Sequence, residues 1–295
     1  MRRGSVADLM LLVTVALWAL NFSVSKYILD HGFEPLTYSA TRYGAAAIVF
    51  LVFVLAWERT LRVGGRDVAL VAGAVALLLV NQLSFVFALD LSTATTVALL
   101  FGTLPIFTAL IARVVGVERL SNRFWIAAAL SFGGVVLVTA GSDGGLSSNV
   151  LGNLLAVLGA ATWGGYSVAL APLMQRYSPF RLSAIFLFAV FLALLVLSST
   201  QLDDQRWDLG AGVWSAFVFA TLGPLVITNL LWFTAIDHVG PSRAALFANL
   251  QPFLAAIIAL LLLSEELTML QVAGGLAIAG GIVFSRRRVG AEPSA

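Results

Sequence analysis

Trp18, Asn21 and Ser25 stand at i, i+3 and i+7 within one long apolar run, a spacing that puts an indole, an amide and a hydroxyl on the same face of a helix. Trp163 and Tyr166 repeat the aromatic and polar face in a later run. Asn81, Gln82 and Phe85, then Asn229 and Trp232, then Phe247, Asn249 and Gln251 supply further polar and aromatic groups in otherwise apolar segments. The chemistry open to this set is noncovalent: aromatic walls suit a flat or amphipathic solute, and amides fix its orientation by hydrogen bonding. Taken singly, each residue also has a plainer role, since Asn and Gln join membrane helices at about 1 kcal/mol per bond and Trp packs well between them.

Two cations fall inside apolar runs, Lys26 and Arg42. Beside a cavity they would hold a carboxylate or phosphate; otherwise they would snorkel to headgroups or pair with Asp30 and Glu34. Lys26 is favoured for the anion, being next to Ser25. No Asp or Glu falls near the middle of a predicted span, and His31 and His238 lie at span ends. Carboxylate-based proton coupling and a histidine relay are therefore not supported, and facilitated diffusion or exchange fits equally well. The chain has no cysteine, which excludes thiolate chemistry. No metal and no cofactor is expected. Asp237 and His238 are sequence neighbours and so point apart on a helix, which leaves no converging nucleophile, acid or metal set for an enzyme; neither charged rings nor filter loops mark a channel.

The elements that must carry these residues are set by the solvent. The chain is 60% hydrophobic and 11% charged, with mean hydropathy +0.98, where a soluble domain has about 25% charged residues. Apolar runs long enough to cross ~30 Å of hydrocarbon fall near 6–28, 36–57, 68–89, 94–115, 124–141, 150–174, 181–199, 212–236, 242–263 and 268–285, which predicts ten transmembrane helices. The first run continues past Trp18 to Ile28, longer than a signal-peptide core of about 7–15 residues, so it reads as a retained helix. With the amino terminus inside, 14 of the 17 Lys and Arg residues lie in inside segments and Arg206 alone in an outside loop. The positive-inside rule then predicts a multi-pass protein of the cell inner (plasma) membrane with both termini cytoplasmic. The net charge of +2 is spread over short loops, so no nucleic-acid partner is expected.

A sparse pattern repeats at a constant offset of 147 residues: Asp90, Pro105, Glu118 and Gly133-Gly134 recur as Asp237, Pro252, Glu265 and Gly280-Gly281. This is an internal duplication. Five helices per copy make the second copy enter from the opposite side, so the repeats are inverted, as in carriers whose halves enclose one substrate path. Residues 1–141 form the first repeat, 150–285 the second, and 286–295 a short basic cytoplasmic tail. Pro105 and Pro252 are expected as mid-helix kinks serving as hinges or gates, since a proline ring removes one bond and clashes with the preceding turn. Pro224 adds an interruption without a partner in the other half. Asp90 and Asp237 are expected to cap turns, and Glu118 and Glu265 to anchor loops. Gly133-Gly134 and the stripe Ala273, Ala277 and Gly281 mark the fifth and tenth helices as packing helices.

Ten helices in a five-plus-five inverted duplication, the Trp18-x2-Asn21 motif and the Pro-x12-Glu motifs at Pro105–Glu118 and Pro252–Glu265 together resemble the drug/metabolite transporter superfamily, specifically its ten-helix EamA-type exporters. The resemblance implies a central cavity lined by helices 1, 3, 4, 6, 8 and 9. With the aromatic and amide faces, it leads to the expectation of a secondary transporter moving small amphipathic metabolites by alternating access, with amino acid export the first choice. Drug or toxin export, or translocation of a lipid or lipid-linked sugar, is the alternative. The expected partners are a small-molecule substrate and membrane lipids. The expected binding set is Trp18, Asn21, Ser25, Lys26, Asn81, Gln82, Phe85, Trp163, Tyr166, Asn229, Trp232, Asn249 and Gln251. Specificity should lie where the halves differ: Asn21 against Tyr166, Lys26 against Ala171, Leu104 against Gln251.

Overall fold

A computed structural model describes residues 3–140, 149–254, 257 and 268–285. The expected anchor Glu265, the end of the ninth span and the tail at 286–295 lie outside the described residues. Among those described, the α-helices are α1 (Arg3–Asp30), α2 (Pro35–Trp57), α3 (Val68–Leu91), α4 (Ala94–Phe101), α5 (Leu104–Val114), α6 (Asn122–Ala140), α7 (Val150–Met174), α8 (Pro179–Ser198), α9 (Ala211–Thr221), α10 (Thr228–Val239), α11 (Pro241–Ala248) and α12 (Met269–Ser285). Their starts follow local chemistry. Pro35, Pro179 and Pro241 occupy first turns, where a missing N–H costs nothing; Thr93, Asn149 and Ser178 cap α4, α7 and α8 by accepting the N–H of Thr96, Gly152 and Arg181.

The chain is an all-α membrane protein of two inverted five-helix repeats. Among the described residues eight spans are long and apolar enough to cross a bilayer, and the shorter apolar α12 follows. The fourth span is α4 with α5, and the eighth is α9 with α10. Broad apolar surfaces face outward, as at Val114, Leu276 and Val196, while Asn21, Ser25, Arg42, Asn81 and Gln82 are buried inside. That inversion of the soluble pattern is what a lipid solvent selects, because polar groups must be satisfied within the protein.

The duplication is visible in the breaks. Gly102-Thr103 separates α4 from α5, and Asn249-Leu250, 147 positions later, separates α11 from the helical residues 251–254. The expected kinks at Pro105 and Pro252 are corrected by this: each proline is the second residue after a full break, the place where it breaks no hydrogen bond. Pro224 lies within a π-helical segment, Leu222–Ile227, that joins α9 to α10.

Pairing follows the repeats as well: α2 packs on α8, α3 on α7, α1 on α10, and α6 on α12. The α6–α12 seam is a glycine seam. A Cβ on Gly134 would fall 2.6 Å from the Gly274 carbonyl, one on Gly274 2.5 Å from the Gly134 carbonyl, and one on Gly281 2.7 Å from the Ala127 carbonyl. The expected stripe shifts accordingly: Gly281 belongs to the seam, but Gly274 and Ile278 form the rest of it, while Ala273 is exposed. Nor do the two aspartates cap. Thr93 caps α4, Asp90 is exposed in the last turn of α3, and Asp237 accepts from Gln175 Nε2 at 2.8 Å.

One end of the molecule, which holds the start of α1, is tied across the repeats. Arg181 pairs with Glu58 at 3.0 Å, and Ser178 also donates to that carboxylate. Tyr177 donates to Asp67 at 2.7 Å, Arg176 pairs with the same carboxylate, and Arg243 pairs with Asp8 at 3.4 Å. Glu118 lies against Gly240, where a Cβ would collide with its Oε1. Its carboxyl is raised above the ordinary range by burial, with Ser242 acting in the opposite direction.

Candidate substrate cavity

The broken and π-helical spans leave a gap that side chains do not fill. A cavity with about 580 Å³ of empty space, its open mouth included, lies between the repeats. The first repeat contributes from α1 to α5 and the second from α7, the π segment and residue 251. The lining begins at the middle of these helices and extends away from the tied end.

Tryptophans build one wall. Trp18 meets Trp163 edge-on at 5.2 Å and Trp232 at 4.8 Å, so the two residues that mark the first helix of each repeat face each other. Trp18 Nε1 donates to the Pro224 carbonyl at 3.2 Å and to Thr228 Oγ1 at 3.1 Å, which holds the ring in place. Trp163 Nε1 is buried and has no partner among the described residues. Phe22, Phe85 and Phe101 form a second wall, with centroids 5.6–6.0 Å apart.

The residues with polar groups in the lining are Asn21, Asn81, Gln82, Gln251, Arg42 and Tyr43. Asn81 donates to the Gly159 carbonyl and Gln82 to Ser39 Oγ, both at 2.9 Å. A chain of bonds runs behind the lining: Arg42 Nη1 donates to Tyr38 OH at 3.4 Å, Tyr38 OH meets Ser25 Oγ at 2.9 Å, and Ser25 donates to Asn21 Oδ1 at 3.3 Å. Arg42 is 4% exposed. Its Nε donates to the Ala220 carbonyl at 3.0 Å. In an α-helix that carbonyl would take the N–H of residue 224, but residue 224 is proline and has none.

Of the expected binding set, Trp18, Asn21, Asn81, Gln82, Phe85, Trp163 and Gln251 line the cavity. Six do not. Ser25 lies behind Asn21. Tyr166 is fully buried and packs on Trp163, Phe186 and Phe233. Trp232 lies beneath Trp18 and donates to Ser167 Oγ at 3.3 Å. Asn229 turns back to the Leu225 carbonyl at 2.7 Å, and Asn249 donates to Ser131 Oγ at 3.1 Å. Lys26 pairs with Asp30 at 3.0 Å, one turn along α1. One residue past Ser25 is ~100° of rotation on a helix, enough to take Lys26 off the face that Trp18, Asn21 and Ser25 share. Arg42, the less favoured cation, is the one in the lining.

Phe22, Tyr43, Phe101, Leu104, Pro224 and Leu225 complete the lining. In a chain that is 60% hydrophobic, the apolar members carry no signal by type. Leu104 had a positional one: it is the repeat counterpart of Gln251, and both follow a break.

A bilayer-spanning chain whose two repeats share a cavity defines a multi-pass membrane transporter. The profile of the EamA-like transporter family matches residues 5–140 and again 150–287, and the chain belongs to that family. It is similar to the uncharacterized transporter YyaM of Bacillus subtilis, with 26% identity covering 89% of this chain and 88% of that one. A probable terminal-alkyne amino-acid exporter of Streptantibioticus cattleyicolor is 25% identical, covering 95% and 93% of the two chains. A solved crystal structure shares the fold with a TM-score of 0.79 at 19% identity, covering 96% of both chains.

Proposed function

We propose that this transporter exports small amphipathic metabolites, amino acids first among them, by alternating access through the central cavity. The observation that carries this reading is the composition of the lining: indole and phenyl walls drawn from both repeats, with Asn21, Gln82 and Gln251 between them. Such walls suit a solute with one apolar and one polar end. The similarity to a probable terminal-alkyne amino-acid exporter supports the same substrate class. The ties across the repeats at one end, set against a cavity in the other half, fit one closed state of a two-state carrier.

The charge pattern of the loops supports placement in the inner membrane with both termini inside, and the tied end is then the cytoplasmic one. The substrate-binding residues of this reading are Trp18, Asn21, Asn81, Gln82, Phe85, Trp163 and Gln251. Purified protein in liposomes should accelerate counterflow of aromatic and aliphatic amino acids. Trp163→Ala and Asn21→Ala should reduce it severalfold while the protein still elutes as a single folded species. Movement of fluorescent lipids in place of any small solute would overturn the assignment in favour of a translocator.

A further inference from the structure

We infer that Arg42 is the charge-recognition residue of the cavity and that the transported solute carries a carboxylate, which binds there. The inference rests on the transport reading above and narrows its substrate class.

Arg42 is the eighth residue of α2, about 10 Å along the helix from its start, so its charge lies within the hydrocarbon depth. An ionised group at that depth is costly unless paired. Yet among the described residues it has no acidic partner, whereas Lys26, Arg176, Arg181, Arg206 and Arg243 each have one. Its two hydrogen bonds go to neutral oxygens, the Ala220 carbonyl and the Tyr38 hydroxyl. They orient the guanidinium without neutralising it, and they leave Nη2 free of any bond among the described residues. The side chain nevertheless lines the cavity. A fixed positive charge facing a solute site, with no negative charge on the described protein to answer it, is complementary to a solute that brings its own.

The form of the site selects among anions. Guanidinium presents a planar fork that matches a carboxylate. One cation among apolar rings suits a monoanion, whereas a dianionic phosphate would be left half neutralised in a desolvated site. No lining residue is acidic, so a solute ammonium group meets neutral oxygens and aromatic faces instead, a weaker attraction. Affinity should therefore follow the carboxylate and depend much less on the amine.

The test uses three probes that share the phenylalanine side chain, on the full-length protein in detergent and in liposomes: phenylalanine, N-acetylphenylalanine and phenylalaninamide. Quenching of the tryptophan fluorescence reads binding, and counterflow reads transport. Phenylalanine and N-acetylphenylalanine should bind and move, with phenylalaninamide at least tenfold weaker in both. Arg42→Met should abolish that preference, and Arg42→Lys should retain part of it. The comparison within the wild-type protein stands even if Arg42→Met fails to fold. Equal handling of the amide and the acids, or an unchanged preference in folded Arg42→Met, would overturn the inference while leaving the transport reading intact. If none of the three binds or moves, the inference falls. If amino acids of every other class also fail to move, the transport reading falls with it.

Discussion

Arg42 and Pro224 meet through one carbonyl. The proline has no N–H for the Ala220 oxygen, and Arg42 Nε takes that place at 3.0 Å. A helix defect in the second repeat thus fixes a buried cation of the first. Residue 224 is also tied to the aromatic wall, since its own carbonyl accepts from Trp18 Nε1.

Replacing Pro224 by alanine restores a donor that competes with Arg42 for the Ala220 oxygen. Pro224→Ala should leave expression and thermal stability close to wild type and lower amino acid counterflow severalfold. Counterflow equal to wild type would show that the defect does not position Arg42.

Lys26 is paired with Asp30 outside the lining, at 28% side-chain exposure. Exposed pairs of this kind contribute little. Lys26→Gln should change transport by less than about twofold, against a much larger loss for Arg42→Met; the reverse order in the same counterflow assay would return the anion site to Lys26.

The glycine seam gives a paired stability test. Gly274→Ala pushes a methyl into the Gly134 carbonyl, whereas a Cβ on Gly133 meets nothing within 4 Å. Overpacking of this kind costs about 1–3 kcal/mol, so Gly274→Ala should lower the unfolding temperature in detergent by several degrees and Gly133→Ala should not. Equal temperatures would mean that α6 and α12 can separate without loss.

Glu118 gives a pH test. Burial against the Gly240 turn holds its carboxyl above the ordinary range, so the folded state binds its proton more tightly than the unfolded one, whose value is about 4.3. Its contribution to stability is then complete below that unfolded value and is lost as pH rises through the folded one. The unfolding temperature of Glu118→Gln relative to wild type should rise with pH across that interval and be flat above it. A difference that does not change with pH would remove Glu118 as a buried titrating group.

Much of this protein was legible in the chain because its solvent is the bilayer. Hydropathy marked the spans, since each must be long, apolar and internally bonded, and the fourth to sixth spans began and ended within a few residues of expectation. The 147-residue offset located the duplicated marks and, with five spans per copy, their inversion. At the cavity, Trp18 and Asn21 followed from spacing on α1, and Trp163 from its likeness to Trp18. Rotation about a helix was less secure: a single position separated Ser25 from Lys26, and the structure sends the lysine to Asp30.

By itself, the sequence determined the class of solvent, the number of spans and their pairing into repeats, because these depend on composition and period, which are local. Only the tertiary structure decided that Pro105 and Pro252 follow breaks, that Trp232 supports the wall while Trp18 and Trp163 line it, and that Arg42 lines the cavity without a counter-charge among the described residues. Each of these depends on what lies across the helix. For Arg42 that is the Ala220 carbonyl, 178 residues further along the chain and left without its helical donor by a proline, and no local pattern around Arg42 records it.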